Sequence, residues 1–156
     1  MKIVSVLEDK KVEKRISITP EIAKKYIAMG FEVSLSESYG EHLGFSDNEY
    51  KKLDVKISKD DNELIDSADV IVQLGLPSED KLNKIGSGQS IIGVLNPYNN
   101  KSILDKLIKK KINLFSLELL PRITRAQSMD ILSSQANLAG YKAVVESFAY
   151  FEKAIP

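Results

Sequence analysis

Apolar and polar positions alternate along most of the chain as short β-branched runs separated by polar stretches. The apolar runs lie at residues 2–7, 31–36, 55–57, 68–74, 90–95 and 112–119. Runs of this length and content are typical of buried strands. The polar stretches with helical spacing lie at 19–30, 46–53, 61–66 and 100–111. Repeated alternation of this kind indicates βαβ units, so we predict an α/β fold with a mostly parallel sheet and helices on both faces.

The last part of the chain has a longer period of helical spacing than the rest. From Ala126 to about Ala154 no proline interrupts it, which predicts a helix of about 29 residues, or about 43 Å. A small α/β lobe does not need a helix of that length. We therefore expect a lobe over residues 1–121 and, over 122–156, a loop and a connecting helix that leads to a further domain outside these 156 residues.

Composition excludes several classes of function. Lys plus Arg and Asp plus Glu are both 22, so the net charge is zero and no basic excess indicates a nucleic-acid partner. Cysteine is absent, which excludes disulfides, thiolate metal sites and cysteine nucleophiles. No segment approaches the roughly 20 apolar residues of a membrane span, so we expect no direct membrane insertion.

Three other features receive plain structural interpretations. Gly86 and Gly88 come near a dinucleotide-binding GxGxxG, but they precede a strand instead of following one, so a turn is predicted. His42 is the only histidine and has no second histidine or cysteine to form a metal site with, so we interpret it as a surface loop residue. The lysine run at 106–111 ends a helix, where cations complement the dipole, and is interpreted as a solvated face.

The stretch PRITRAQSMDILSSQANLAGYKAV, residues 121–144, does not fit a solvated face as easily. On a helix that starts near Ala126, several short polar side chains recur at spacings of three and four and so share one face: Gln127, Asp130, Ser133 or Ser134, and Asn137. Arg122 precedes them in a loop. The other helices carry Lys and Glu on their polar faces, whereas short amides and hydroxyls suit a polar, planar ligand. We predict a ligand site here, with a capped, solvated helix face as the alternative.

The same stretch closely resembles the corresponding segment in the alpha subunit of proton-translocating NAD(P) transhydrogenases. In addition, KKVEKRISITPEIAKKYIAMGFEV, residues 10–33, resembles the pattern that this subunit shares with alanine dehydrogenases. The resemblance implies a flavodoxin-like first lobe, a second Rossmann domain that binds NAD(H), and a cleft between them. By this resemblance the chain is the first lobe with its connecting helix, and the Rossmann domain is absent from the 156 residues.

The resemblance also implies which residues contact the cofactor. The family spacing R-x4-Q-x2-D-x2-S falls on Arg122, Gln127, Asp130 and Ser133. Arg122 and Gln127 would fix the nicotinamide and its carboxamide, and Asp130 and Ser133 would complete the network. Hydride transfer requires the two nicotinamide C4 atoms to be close and correctly faced, and the redox chemistry belongs to the cofactors. No catalytic acid or base and no metal are therefore expected.

The function implied by the resemblance is hydride transfer from NADH to NADP+, coupled to proton translocation, in a Re/Si-specific transhydrogenase. NAD(H) would bind on this subunit and NADP(H) on the partner, and this chain alone would be inactive. The implied partners are the beta subunit, the membrane component and a second copy in a homodimer. The implied location is cytoplasmic, peripheral at the cytoplasmic face of the inner membrane through those partners.

Departures from alanine dehydrogenases bear on the alternatives. Those enzymes hold a substrate carboxylate with an arginine that matches Arg15 and a lysine two residues before a proline, and they use a catalytic histidine. Here Gly75 stands at the lysine position and no histidine lies at 93–96. An alanine-dehydrogenase-like oxidoreductase is thus a disfavoured alternative, with Arg15 expected to pair with Glu8 or Glu13. A non-catalytic binding lobe is the other alternative.

Overall fold

The computed structural model describes residues 1–154 as strands and helices in alternation. The strands are β1 (Lys2–Ser5), β2 (Glu32–Ser36), β3 (Lys56–Ser58), β4 (Val70–Val72), β5 (Ser90–Gly93) and β6 (Asn113–Ser116). The helices are α1 (Pro20–Ala28), α2 (Asp47–Lys51), α3 (Asp61–Asp66), α4 (Glu79–Lys84), α5 (Lys101–Lys109) and α6 (Ile131–Tyr150). Each apolar run identified in the sequence overlaps one strand, and the α/β fold class is confirmed.

The six strands form one parallel sheet in the order β3-β2-β1-β4-β5-β6. Ile3 of β1 is paired with Val33 on one side and with Val70 on the other. The chain therefore builds outwards from β1 in one direction, returns, and builds outwards in the other. This is the strand order of doubly wound dinucleotide-binding sheets, whereas flavodoxin-like sheets have the order 2-1-3-4-5. The point where the direction reverses lies between β1 and β4.

Apolar side chains form one core on each face of the sheet because successive strand residues point to opposite sides. Val4 belongs to the core that contains Leu64, Leu82 and Leu104, which come from α3, α4 and α5. Its neighbour Ile3 belongs to the second core, which includes residues of α1 and α2. Helices on both faces, as predicted from the alternation, are thus confirmed.

Local signals explain where several helices begin and end. The side chain of Thr19 accepts a hydrogen bond from the Ile22 N–H, Pro20 occupies the first turn, and Gly30 follows the helix with a φ of 86°. Helix α2 begins with a capping box between Ser46 and Glu49. Helix α4 was not predicted from the sequence, although Ser78 followed by two acidic residues is typical of a helix start.

The chain divides into two compact units, Met1–Ser116 and Leu117–Pro156. The second unit contains two 3-10 helices, Leu117–Leu119 and Thr124–Met129, followed by α6. No helix among residues 1–154 combines the length and the apolar content needed to cross a bilayer.

The single long helix predicted from Ala126 to about Ala154 is wrong in its bounds. Asp130 has an extended backbone, with φ −72° and ψ 95°, and separates the 3-10 helix from α6. Its carboxylate accepts hydrogen bonds from the first backbone N–H groups of α6, so it starts a new helix instead of continuing the old one. The α-helix ends at Tyr150, and its 20 residues span about 30 Å.

Candidate functional site

The four residues predicted to contact a ligand all line one cavity of about 310 Å³ in the second unit. The complete lining is Pro121, Arg122, Ile123, Thr124, Gln127, Asp130 and Ser133. The cavity is formed entirely within thirteen consecutive positions, 121–133. A short segment therefore gathers a guanidinium, an amide, a carboxylate and two hydroxyls around one space.

The local backbone brings these side chains together through a 3-10 helix, and not through the α-helical face predicted from the sequence. Residues three apart eclipse each other in a 3-10 helix. Thr124 and Gln127 lie three apart in the 3-10 helix, and Asp130 and Ser133 continue the same interval into the cap and first turn of α6. The α-helical face starting near Ala126 is thus replaced by a 3-10 turn and a cap.

Asp130 and Ser133 are bonded to each other as well as exposed to the cavity. Asp130 Oδ1 accepts from the N–H groups of Leu132 at 2.9 Å and Ser133 at 3.1 Å, and Oδ2 accepts from the Ser133 hydroxyl at 2.6 Å. The hydroxyl bond is the largest cause that lowers the pKa of Asp130, and the Arg122 charge adds a smaller effect in the same direction. The Asp130 carboxylate is therefore favoured in its ionised form, and its hydrogen bonds hold this wall of the cavity in place.

Arg122, Thr124 and Gln127 supply the remaining polar groups of the cavity wall. Within residues 1–154 the side chains of these three make no hydrogen bond to another part of the chain, and all three are exposed. A guanidinium offers donors only, while an amide offers a donor and an acceptor on one plane. The wall can therefore hold a planar group that presents both donors and acceptors.

Two other members of the predicted polar face do not line the cavity. The Ser134 hydroxyl donates to the backbone carbonyl of Ile131 at 3.2 Å, within the first turn of α6. Asn137 is exposed on the next turn. The choice that the sequence left open between Ser133 and Ser134 falls on Ser133 in the cavity wall.

A second cleft, of about 560 Å³, lies in the first unit and was missed by the sequence analysis. It is lined by Leu7, Glu8, Asp9, Asp61, Gln73, Leu76, Pro77, Ser78 and Lys81. Several of these residues follow the carboxyl ends of β1 and β4, where the strand order reverses and where open α/β sheets commonly bind ligands. The sequence did contain an indication of this cleft: two polar residues, Glu8 and Gln73, each follow shortly after the end of a strand.

Glu8 holds the loop that follows β4 at this cleft. Its Oε1 accepts from the backbone N–H of Leu74 at 2.6 Å and from the Gln73 amide at 3.2 Å. Burial raises the pKa of Glu8, and the bonds from the backbone N–H groups of Leu74 and Gly75 oppose that rise. Opposite it, Lys81 pairs with Asp61 at 2.7 Å.

A buried polar network lies behind the cleft. The Ser5 hydroxyl donates to Gln73 Oε1 at 2.7 Å and lies 2.8 Å from the Tyr39 hydroxyl. The Tyr39 hydroxyl also accepts from the N–H groups of Ser17 at 3.1 Å and Ile18 at 3.3 Å. This network joins β1, the residue after β4 and the loop before α1. It therefore fixes the carboxyl ends of these two central strands, beyond which Glu8 lies.

The remaining residues singled out in the sequence have structural positions. Arg15 pairs with Glu13, Nη2 to Oε2, at 2.6 Å, which is one of the two partners expected. His42 is exposed, and its Nε2 lies 2.7 Å from the Lys14 carbonyl. Gly88, with a φ of 88°, forms the predicted turn before β5. Among residues 1–154 no three His, Cys, Asp or Glu side chains are grouped as a metal site.

Comparison with known proteins adds the family. The family model described as "Alanine dehydrogenase/PNT, N-terminal domain" matches residues 5–139. The chain belongs to this family. The family resemblance expected from residues 10–33 and 121–144 is confirmed.

Relatives and solved structures agree with that assignment. The chain is 41% identical to the first part of NAD(P) transhydrogenase subunit alpha from Rickettsia prowazekii (strain Madrid E), and 37% identical to the protein of the same name from Rhodospirillum rubrum. All of this chain and 42% of each relative are covered, so the chain spans about two-fifths of their length.

Two solved structures share the fold. A transhydrogenase from Sinorhizobium meliloti matches with a TM-score of 0.90 and 35% identity, over 99% of this chain and 46% of that one. An L-alanine dehydrogenase matches with a TM-score of 0.70 over 76% of this chain and 32% of that one, but at 18% identity, which shows a common fold alone.

Proposed function

We propose that the chain is the N-terminal lobe of the NAD(H)-binding component of a proton-translocating NAD(P) transhydrogenase. In this role it takes part in hydride transfer from NADH to NADP+ on a partner subunit. The observation that carries the proposal is the convergence of Arg122, Gln127, Asp130 and Ser133 on one cavity wall. The relatives that match the whole chain are named as transhydrogenase alpha subunits, which supports the same reaction.

The proposed task of the cavity is to orient the dihydronicotinamide ring. The Gln127 amide offers one donor and one acceptor, which complements the carboxamide of the ring, and Arg122 adds donors beside it. Asp130 and Ser133 are already bonded to each other, so that wall is preorganised before the cofactor arrives. NAD(H) supplies the hydride chemistry, and these side chains position it without exchanging a proton with the substrate.

Most of the cofactor would contact a second domain outside the 156 residues. The turn at 86–90 precedes β5 instead of joining a strand to a following helix, so it does not provide a pyrophosphate cradle. NADP(H) would bind on the beta subunit, and a membrane component would carry the protons. We place the chain at the cytoplasmic face of the inner membrane, attached through those partners.

A homodimer is part of the proposal because α6 is unusually apolar on its exposed surface. Several of its large apolar side chains, and Phe151 just beyond it, are more than two-fifths exposed: Leu132, Leu138, Tyr141, Val144, Val145, Phe148, Tyr150 and Phe151. Five of them, Leu138, Tyr141, Val144, Val145 and Phe148, recur at spacings of three and four and so share one side of α6. An exposed apolar stripe of this kind is typical of a protein interface. A second copy meeting it across a twofold axis would bury it symmetrically.

The alternative of an alanine-dehydrogenase-like activity receives little support from the site. Arg15, the counterpart of the substrate-binding arginine, is paired with Glu13. Gly75 occupies the position of the substrate-binding lysine, and a Cβ added there would meet only Glu8 Oε2, at 3.9 Å. A Cβ is therefore tolerated at this position, but the lysine that those enzymes have there is missing.

Calorimetric titration with NADH tests the proposal. The complete subunit that contains this chain should bind NADH, whereas residues 1–156 alone should bind it only in the millimolar range, about −4 kcal/mol, because the pyrophosphate contacts are missing. No binding by the complete subunit would favour a non-catalytic lobe. Micromolar binding by residues 1–156 alone would contradict the placement of most contacts in a second domain.

A further inference from the structure

The C-terminal ends of α4 and α5 lie side by side and together carry a group of lysines. The Lys110 ammonium donates to the Asn83 carbonyl at 3.0 Å, and the Gly88 N–H donates to the Lys111 carbonyl at 3.0 Å. These two bonds join residues 83–88 to residues 110–111. We use the name lysine patch for the four exposed residues gathered there: Lys84, Lys109, Lys110 and Lys111.

The positive charge of the lysine patch is not neutralised locally. In the part of the chain that the structure describes, residues 1–154, no ammonium of the patch lies within 4.0 Å of a carboxylate. Asp105, one turn before Lys109 on α5, pairs with Lys101 at 2.8 Å. Asp80, one turn before Lys84 on α4, forms no ion pair within 4.0 Å with an ammonium of residues 1–154. Helix dipoles favour a cation at each C-terminus. Two helix ends do not require four lysines in a chain whose net charge is zero.

An isoleucine stands exposed beside these lysines. Ile108 is 58% exposed, while its neighbours on α5, Leu104 and Leu107, are buried in the core. A single exposed apolar side chain is ordinary by itself. An exposed β-branched residue within one turn of Lys109, Lys110 and Lys111 combines apolar and cationic character at one helix end.

We propose that the lysine patch and Ile108 form a docking surface for an anionic lipid bilayer. Anionic headgroups attract lysines that come within a Debye length of the membrane surface. A protruding apolar side chain then enters the boundary between headgroups and acyl chains. The contact is peripheral and requires no helix to cross the bilayer. It goes beyond the proposed hydride transfer and does not depend on it.

The composition of the patch favours lipid over nucleic acid. Proteins that bind single strands provide aromatic side chains for base stacking, and the patch has none. The patch contains lysines and no arginine. Lysines act as point charges and do not form the bidentate contacts by which arginine reads base edges. The apolar side chain of Ile108 gains nothing from contact with a charged phosphate backbone, whereas it can insert into the apolar part of a lipid interface.

Vesicle co-sedimentation of the full chain tests this inference. We expect binding to phosphatidylcholine vesicles that contain about one third phosphatidylglycerol, and none to pure phosphatidylcholine. Reversing three charges with Lys109→Glu, Lys110→Glu and Lys111→Glu should lower the partition coefficient at least about tenfold. The pair Lys84→Glu and Lys109→Glu tests the same surface without altering Lys110, whose ammonium donates to the Asn83 carbonyl at 3.0 Å.

The matched control reverses three exposed lysines on α1 and at α2, with Lys24→Glu, Lys51→Glu and Lys52→Glu. It changes the net charge by the same amount and should leave vesicle binding within about twofold of the parent chain, because electrostatic attraction falls off within a Debye length. Circular dichroism of each variant verifies folding. Equal losses in the patch and control variants, or no binding to anionic vesicles, would overturn the inference. Preferential capture by duplex DNA in a competition with vesicles would also overturn it.

Discussion

Replacing Tyr39 by phenylalanine removes one hydroxyl from a fully buried position and tests the network behind the sheet-edge cleft. The hydrogen of Ser5 is donated to Gln73 Oε1, and that of Ser17 to the Val72 carbonyl. The single Tyr39 hydrogen therefore goes to one of the two serine oxygens, and the tyrosine oxygen accepts from the N–H groups of Ser17 and Ile18.

The cost of Tyr39→Phe follows from the groups left without a partner. Two backbone donors and one serine oxygen lose their bonds, with Ser5 and Ile18 fully buried and Ser17 half-buried, and each unsatisfied buried group costs about 1–3 kcal/mol. Allowing for relaxation, we expect a loss of about 3 kcal/mol in the free energy of unfolding. Tyr50→Phe is the matched control, since Tyr50 is equally buried but makes one bond, to the Ile18 carbonyl at 2.9 Å. Its expected cost is about 1 kcal/mol.

Urea unfolding followed by circular dichroism measures both values, with the slope of the transition as a check that the same structure unfolds. The two variants remove the same atom from the same residue type, so their difference isolates the number of bonds lost. Equal costs for Tyr39→Phe and Tyr50→Phe would refute the network as drawn.

Two further predictions concern pH and assembly. Burial raises the pKa of Glu8 in the folded chain, so its contribution to stability is fully present below the unfolded pKa of about 4.3 and is lost as pH rises through the folded value. Glu8→Gln should therefore gain stability relative to the parent chain between acidic and neutral pH in parallel melts, and a difference independent of pH would contradict this. Tyr141→Ser with Phe148→Ser should weaken a dimer by at least about tenfold in light scattering, while Tyr98→Ser, which changes a still more exposed aromatic residue of the first unit, should not. A parent chain that stays monomeric at high concentration would count against the dimer.

The six strands could be predicted because each overlaps a short apolar run, in most cases rich in β-branched residues, that is bounded by polar residues. The predicted bounds were too long where an apolar run continues past the ladder. Residues 112–119 illustrate this, since the strand ends at Ser116 and Leu117–Leu119 turn into a 3-10 helix. A strand ends where its neighbour in the sheet no longer provides backbone hydrogen-bond partners, and apolar content alone does not indicate that position.

The break at Asp130 could not be read from periodicity. Ala126, Gln127 and Met129 are all good helix formers, so the spacing predicted one continuous helix. In the structure the Asp130 carboxylate bonds to the N–H groups of Leu132 and Ser133 and competes with continuation of the helix. Aspartate is a preferred N-cap residue, so Asp130 did indicate a helix start, but the periodic spacing on either side of it was given more weight.

The cleft at the sheet edge was not predictable for a different reason. Glu8 and Gln73 are 65 positions apart, and they meet only because β1 and β4 are neighbours in the sheet. Strand order depends on long-range pairing that a single sequence does not encode in its local pattern. By contrast, the cavity of the second unit lies within residues 121–133. Spacing selected Gln127 and Asp130 but left Ser133 and Ser134 open and included Asn137, which does not line the cavity; the family resemblance selected Arg122, Gln127, Asp130 and Ser133. The helix type assumed for them was wrong.

The most direct test of the proposed nicotinamide site is single-turnover hydride transfer in the complete enzyme with Arg122→Ala. If Arg122 positions the dihydronicotinamide, transfer from NADH to NADP+ should slow about a hundredfold, which is about 2.7 kcal/mol of transition-state positioning. NADH affinity and melting temperature should change little, because Arg122 is exposed and most cofactor contacts are proposed to lie outside this lobe. The shape of the pH profile should persist, since the proposed role of Arg122 involves no proton transfer.

Arg125→Ala is the matched control, since Arg125 lies three residues after Arg122, in the 3-10 helix that follows it, and does not line the cavity. Its transfer rate should stay within about threefold of the parent enzyme. A hundredfold loss confined to Arg122→Ala, with binding and stability preserved, is the result we predict. A normal transfer rate for Arg122→Ala, or an equal loss for Arg125→Ala, would contradict the assignment of this cavity to the nicotinamide.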